Sequence, residues 1–165
     1  SIKKLGEIKI NIFSGNLTKT NVSLNLASWI TDVPVIYYPW GLETVAIRFK
    51  NALQENAKIH AIAEDVVETS HNGIVAWEGE TSIQPILVQG EDDNIKTKER
   101  WKIFEKYFLK NNIDYKIIKS EKGHIITKLI NLIYVLDYSS IYLSILRKVD
   151  PSPVQSIKFI KKEIS

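Results

Sequence analysis

"VPVIYYPWGLETVAIRFKNALQENAKIHAIAE", residues 33–64, decides the fold. It begins with an apolar, β-rich run, residues 33–39, ended by Pro39 and Gly41. A run that is apolar at both alternating sets of positions suits a strand covered on both faces. Residues 42–56 then place Leu42, Val45, Ala46, Phe49 and Leu53 three and four apart, the spacing of one helix face. Residues 58–64 return to an extended pattern, with His60 alternating into an apolar strand. Strands separated by helices, with continuously apolar strands, predict a parallel sheet covered on both sides.

The flanking sequence extends this pattern. On the amino side, residues 8–13 (IKINIF) alternate like a short strand, and residues 21–30 carry Val22, Leu26, Trp29 and Ile30 at helical spacing. On the carboxyl side a short helix opens near Thr69 or Ser70, and residues 83–89 form a strand leading into the acidic loop GEDDN. An amphipathic helix over 96–112 is stopped by two Asn, and a strand follows over 115–121. Residues 124–149 form a long apolar helix ended by Asp150, Pro151 and Pro153; residues 154–164 form a terminal helix with a basic face. The expected fold class is α/β, a three-layer αβα sandwich with a mainly parallel, doubly wound sheet. The expected organisation is a lead-in or interdomain segment over 1–20 and one domain over 21–165. In such sheets the site lies at the carboxyl ends of the strands. Glu55 is therefore expected in a cleft there, near the loop Pro39–Gly41.

The bulk properties narrow the function classes. The 165 residues, 44% apolar and 25% charged, are enough for about one domain with a substantial core. The absence of Cys excludes disulfides, Cys zinc sites and thiol nucleophiles, and fits a reducing, cytoplasmic setting. The net charge of +3 is mild and the Lys and Arg are scattered among acids, which argues against nucleic-acid binding. No run approaches the roughly 18 consecutive apolar residues of a membrane helix, and the start lacks a secretory signal, so no membrane partner is expected. The chain holds no Met, even at its start, as a processed protein or a piece of a longer one would.

Several residues could carry chemistry. Glu55, in the last turn of its helix, is either a solvated helix-end carboxylate or a general base. His71, between Ser70 and Asn72–Gly73, is either a loop histidine or a group that moves protons near neutral pH. His60 reads as packed in its strand, and His124 as a capping or surface residue. The three histidines share no metal-like spacing, so no metal site is expected. Lys158, Lys161 and Lys162 either complement a helix dipole or reach a substrate phosphate or a developing enediolate. Residues 13–20 (FSGNLTKT) are either an ordinary turn with an N-cap or a phosphate cradle built on Ser14, Asn16 and Thr18.

Three stretches carry a resemblance: PVIYYPWGLETVAIRFK; NALQENAK followed by HNGIVAW; and the ending VDPSPVQSIKFIKKEI. In this order and spacing, over roughly residues 21–165, they resemble the second half of the bifunctional phosphoglucose/phosphomannose isomerases, which are built from two sugar-isomerase (SIS) domains. The resemblance implies that Glu55 is the general base, with Gln54 where the family often has Asn. It implies that His71 opens the sugar ring from the neighbouring subunit. It implies that Lys161, or Lys162 one residue away, stabilises the enediolate. It also implies a homodimer with a shared active site, a hexose 6-phosphate substrate (glucose or mannose) and no cofactor. The family's phosphate loop and a catalytic Arg belong to the first SIS domain. Here the segment SGNL echoes that loop but precedes a different element, so Ser14 is only a candidate substrate-binding residue. The alternative is a non-catalytic phosphosugar-binding or dimerisation domain.

Overall fold

Among the described residues, four strands form one sheet: β1 (Val33–Tyr38), β2 (Ile62–Asp65), β3 (Ile83–Gln89) and β4 (Lys116–Lys119). The computed structural model describes residues 2–164, with side chains from Leu5 onward. The strand order is β2-β1-β3-β4 and every pairing is parallel. The chain steps outward from β1 to β2, then crosses to the other side for β3 and β4. The topological switch point lies between β1 and β3.

Two cores flank the sheet, because alternate strand residues point to opposite faces. On one face Ile36, Ile86, Val88 and Ile118 pack beneath α2 (Val22–Trp29), α3 (Glu43–Ala52) and α6 (Ile125–Leu146). On the other, Val35, Tyr37 and Leu87 meet Trp101, Phe104 and Phe108 of α5 (Ile95–Lys110). The short α4 (Val66–Thr69) and a 3-10 turn over Gly73–Glu78 add Val66 and Trp77 to that second core. The apolar stripe of α3 is the predicted one: Leu42, Val45, Ala46, Phe49 and Leu53 are all buried. The parallel αβα sandwich expected from the sequence is the observed architecture.

Helix ends follow local chemistry. The Asn21 side chain accepts from Leu24 N, and that of Asn94 from Thr97 N, capping α2 and α5. Asn111 ends α5, and Asn112 takes the left-handed conformation that Asn tolerates. Gly41, at φ +90°, lets the chain leave β1 and turn into α3.

Two expectations are corrected. Residues 8–13 are not a strand, because α1 is a helix over Ile2–Ile12. Leu5, Ile8 and Ile12 also satisfy helical spacing, and Ile12 is buried while Ile10 stands exposed. Docking decides between the two periods: Ile12 carbonyl oxygen accepts from Tyr142 Oη of α6 at 2.6 Å and from Asn21 Nδ2 at 3.3 Å. Nor is His60 packed in a strand; β2 starts two residues later and His60 is exposed.

By length and composition α6 could cross a membrane. Here it serves as the core helix, with Leu132, Leu136, Tyr142 and Leu143 buried in the domain. Its buried Ser139, Ser140 and Ser144 donate to carbonyls three or four residues back.

Candidate active site

The segment bearing Glu55 departs from α-helical geometry. After α3, Leu53–Ala57 form a π-turn closed by Lys58 N donating to Leu53 O, and Lys58 itself is left-handed at φ 55°, ψ 40°. Such wide turns concentrate at functional sites. Leu53 and Ala57 are buried, whereas Gln54 and Glu55 face outward. Asn56 Nδ2 donates to Ser140 Oγ of α6 at 2.8 Å, tying the turn to the core helix.

Glu55 lies at one end of a groove of about 810 Å³ that follows α3, with Glu43 at the other end and Arg48 and Asn51 between. Asp137 and Ile141 of α6 line the opposite wall. Arg48 bridges the walls, its Nη2 2.6 Å and Nε 3.1–3.2 Å from the Asp137 carboxylate. That hydrogen bond and the opposing charge raise the Arg48 pKa further.

The placement of Glu55 corrects an expectation. In a parallel sheet the helix runs back against its strand, so Glu55, twelve residues beyond Glu43, sits about 18 Å further along, towards the amino edge. It is not beside Pro39–Gly41 at the carboxyl edge. His71 is on the other side, since it follows the carboxyl end of β2 through α4, in an exposed turn where its N donates to Glu68 O at 2.9 Å. One chain therefore does not bring Glu55 and His71 together.

Lys161 and Lys162 lie on α7 (Gln155–Ile164), none of whose described residues is buried. The root of that helix does approach the Glu55 turn. Lys58 Nζ donates to Glu55 O at 2.6 Å, Pro153 O at 2.8 Å and Pro151 O at 3.3 Å.

Ser14 is exposed in the turn after α1, which puts a helix where a phosphate loop would follow a strand. The polar groups of that turn bond one another. Asn16 Nδ2 donates to Asn11 O at 2.7 Å and to Thr20 Oγ1 at 3.1 Å, and Thr18 Oγ1 donates to Asn16 Oδ1 at 2.7 Å. Three carboxylates, Glu43, Asp65 and Glu64, act on Tyr38 at the end of β1. Burial, and after it the charges of Glu43, Asp65 and Glu64, push the Tyr38 hydroxyl pKa upward. Among the described residues, no three His, Asp or Glu converge as metal ligands would.

Comparison with known proteins decides the family. Residues 19–164 match the family described as "Bacterial phospho-glucose isomerase C-terminal SIS domain". The chain belongs to that family. This SIS domain is 29% identical over 155 residues to the bifunctional phosphoglucose/phosphomannose isomerase of Thermoplasma acidophilum, covering 91% of the chain and 49% of the relative. It is 27% identical over 135 residues to the enzyme of the same name from Aquifex aeolicus, covering 80% and 42%. The chain thus spans about half the length of the curated relatives it matches. The fold agrees with a glucose-6-phosphate isomerase-like protein of Thermus thermophilus, with a TM-score of 0.73 at 16% identity over 90% of this chain and 51% of that one. It also agrees with the C-terminal domain of glucosamine-fructose-6-phosphate aminotransferase from Francisella tularensis, at a TM-score of 0.59, 13% identity and coverage of 92% and 46%.

Sequence reasoning missed the residues that hold the SIS domain's Glu55 turn in place: Asn56, Lys58, Arg48 and Asp137. Lys58 was visible within ENAK, but two of its three partners, the Pro151 and Pro153 carbonyls, lie more than ninety residues away along the chain.

Proposed function

We propose that this chain is the base-carrying half of a hexose 6-phosphate isomerase, interconverting glucose 6-phosphate, and mannose 6-phosphate in the same way, with fructose 6-phosphate. The observation that carries the proposal is Glu55, held outward by a tethered π-turn at the end of a groove. The Glu55 carboxylate takes the proton from C2 of the open aldose. The C–H electrons form the C1–C2 double bond, and the carbonyl oxygen O1 becomes the enediolate oxygen. The ammonium of Lys161, with Lys162 beside it, stabilises that charge. Glu55 returns the proton to C1, O1 gains a proton, and loss of the O2 proton leaves the ketone at C2. His71 of the partner subunit opens the ring by moving a proton between the ring oxygen and the anomeric hydroxyl. The separation of Glu55 and His71 within one chain supports a homodimer with shared sites. The exposure of Glu55 supports closure by a second surface, since a base acts best with water excluded. On this reading the enzyme is cytoplasmic, belongs to carbohydrate metabolism and works through these side chains with no cofactor.

The test is Glu55→Gln in the complete enzyme, assayed by fructose 6-phosphate conversion coupled to a dehydrogenase. The expected outcome is kcat lowered by roughly 10²-fold or more with KM within a few fold. An unchanged kcat would remove Glu55 from the role. A second reading, the dimerisation arm of the non-catalytic alternative, is favoured by the 13–20 turn, whose polar groups bond one another. It predicts dimerisation with no turnover in any assembly.

A further inference from the structure

The geometry points to Lys58 as the positioning residue that fixes α7, and with it Lys161 and Lys162, relative to Glu55. This rests on the proposed isomerase function and adds a residue to it.

The argument starts from the backbone. Lys58 closes the π-turn in the left-handed region, where Gly is favoured because a Cβ is strained. A lysine at such a position is at a backbone disadvantage, so its side chain is the place to look for a role. An ammonium has three donors and no acceptor. Here three carbonyls surround it: Glu55 O at 2.6 Å, Pro153 O at 2.8 Å and Pro151 O at 3.3 Å. One is the main-chain carbonyl of the residue proposed as the base. The other two belong to the connector between α6 and α7.

That connector is otherwise stiff. Pro151 and Pro153 fix their own φ, and Asp150 Oδ1 accepts from Ser152 N at 2.9 Å. The anchoring of this connector therefore bears on the direction of α7. Beyond the connector, α7 buries none of its described residues, and Ile157, Phe159 and Ile160 stand exposed. The Lys58 ammonium joins the root of α7 directly to the Glu55 turn. It acts through main-chain atoms, so it orients both catalytic elements without touching the substrate.

The absence of Cys makes a direct test possible, because introduced cysteines are then the labelling sites of this chain. Spin labels at Asn51→Cys and Glu163→Cys report the distance between the end of α3 and the far end of α7. With Lys58 present the distance distribution is expected to be narrow. Lys58→Met and Lys58→Gly should broaden or shift it, and Lys58→Arg should restore it in part. Lys58→Gly suits the left-handed backbone better than Lys does, so it keeps the fold while removing the tether. In the complete enzyme, Lys58→Gly should lower kcat roughly tenfold or more with KM within a few fold, since misplacement by about 1 Å is costly in the transition state. Unchanged distances in both Lys58→Met and Lys58→Gly would overturn the inference and leave the isomerase proposal intact. Broadened distances in an enzyme whose parent shows no turnover would overturn the isomerase proposal and leave the tether standing.

Discussion

Tyr37 shows how a single buried residue gives the domain a pH dependence. Its ring is 2% exposed, stacks edge-on against Phe104, and its hydroxyl accepts from Trp77 Nε1 at 3.0 Å. Burial pushes its pKa up to about 12; the Trp77 bond works against this and the Glu64 charge adds to it. In the unfolded chain a tyrosine titrates near 10. Between those values the native state keeps a proton that the unfolded state has released. Stability from this group is therefore complete below pH 10 and declines as pH rises towards 12, by about 2–3 kcal/mol. Urea unfolding followed across this window should show that decline. Tyr37→Phe, although destabilised by the lost Trp77 bond, should show a shallower slope. Equal slopes in the two proteins would refute the assignment.

At the scale of elements, α1 and α6 show what a sequence discloses and what it hides. Residues 8–13 satisfy a strand period and a helix period together, so local pattern could not choose. The choice was made by Tyr142 and Asn21, which reach Ile12 O across 130 and 9 residues of chain. β1 and α3 were legible because burial on both faces, or along one stripe, leaves a periodic record in the residues themselves. The π-turn left no such record. The outward position of Glu55 was legible only as a helix-end carboxylate, and its distance from the carboxyl edge follows from the length of α3. A second feature of α6 yields a prediction. Asn131 is 3% exposed, and neither atom of its side-chain amide has a hydrogen-bond partner among the described residues. It borders a pocket of about 250 Å³ between α1, β4 and α6. A buried polar group without partners costs about 1–3 kcal/mol, and the pocket leaves room for a larger side chain. Asn131→Leu should raise the midpoint of thermal unfolding. A lowered midpoint would show that the amide is satisfied in solution.

For the whole molecule the central question is what one chain lacks. The polar groups of the residue 13–20 turn bond one another, so no phosphate clamp is evident there among the described residues. Remote phosphate binding is what positions C1 and C2 over a base. The isolated 165 residues should therefore fold as a stable α/β domain yet turn over little or no fructose 6-phosphate, with activity returning when a domain carrying a phosphate loop is joined to it. Robust turnover by the isolated chain would reveal a clamp within it, and Ser14, Asn16 and Thr18 would be the first residues to replace.

The opposite placement of Glu55 and His71 sets a sharper test of assembly. If each site takes Glu55 from one subunit and His71 from the other, Glu55→Gln and His71→Ala homodimers of the complete enzyme are both impaired at every site. A mixed dimer is different. One of its sites combines both lesions, while the other combines an intact Glu55 with an intact His71. Random exchange of subunits in equal amounts makes half of the dimers mixed, so about a quarter of the parent activity should return on mixing. The measurement is the coupled assay after co-refolding, with each variant refolded alone as the baseline. Activity that stays at the mean of the two baselines would show that Glu55 and His71 do not meet across a dimer interface, and the ring-opening role would then pass to a residue of the same chain.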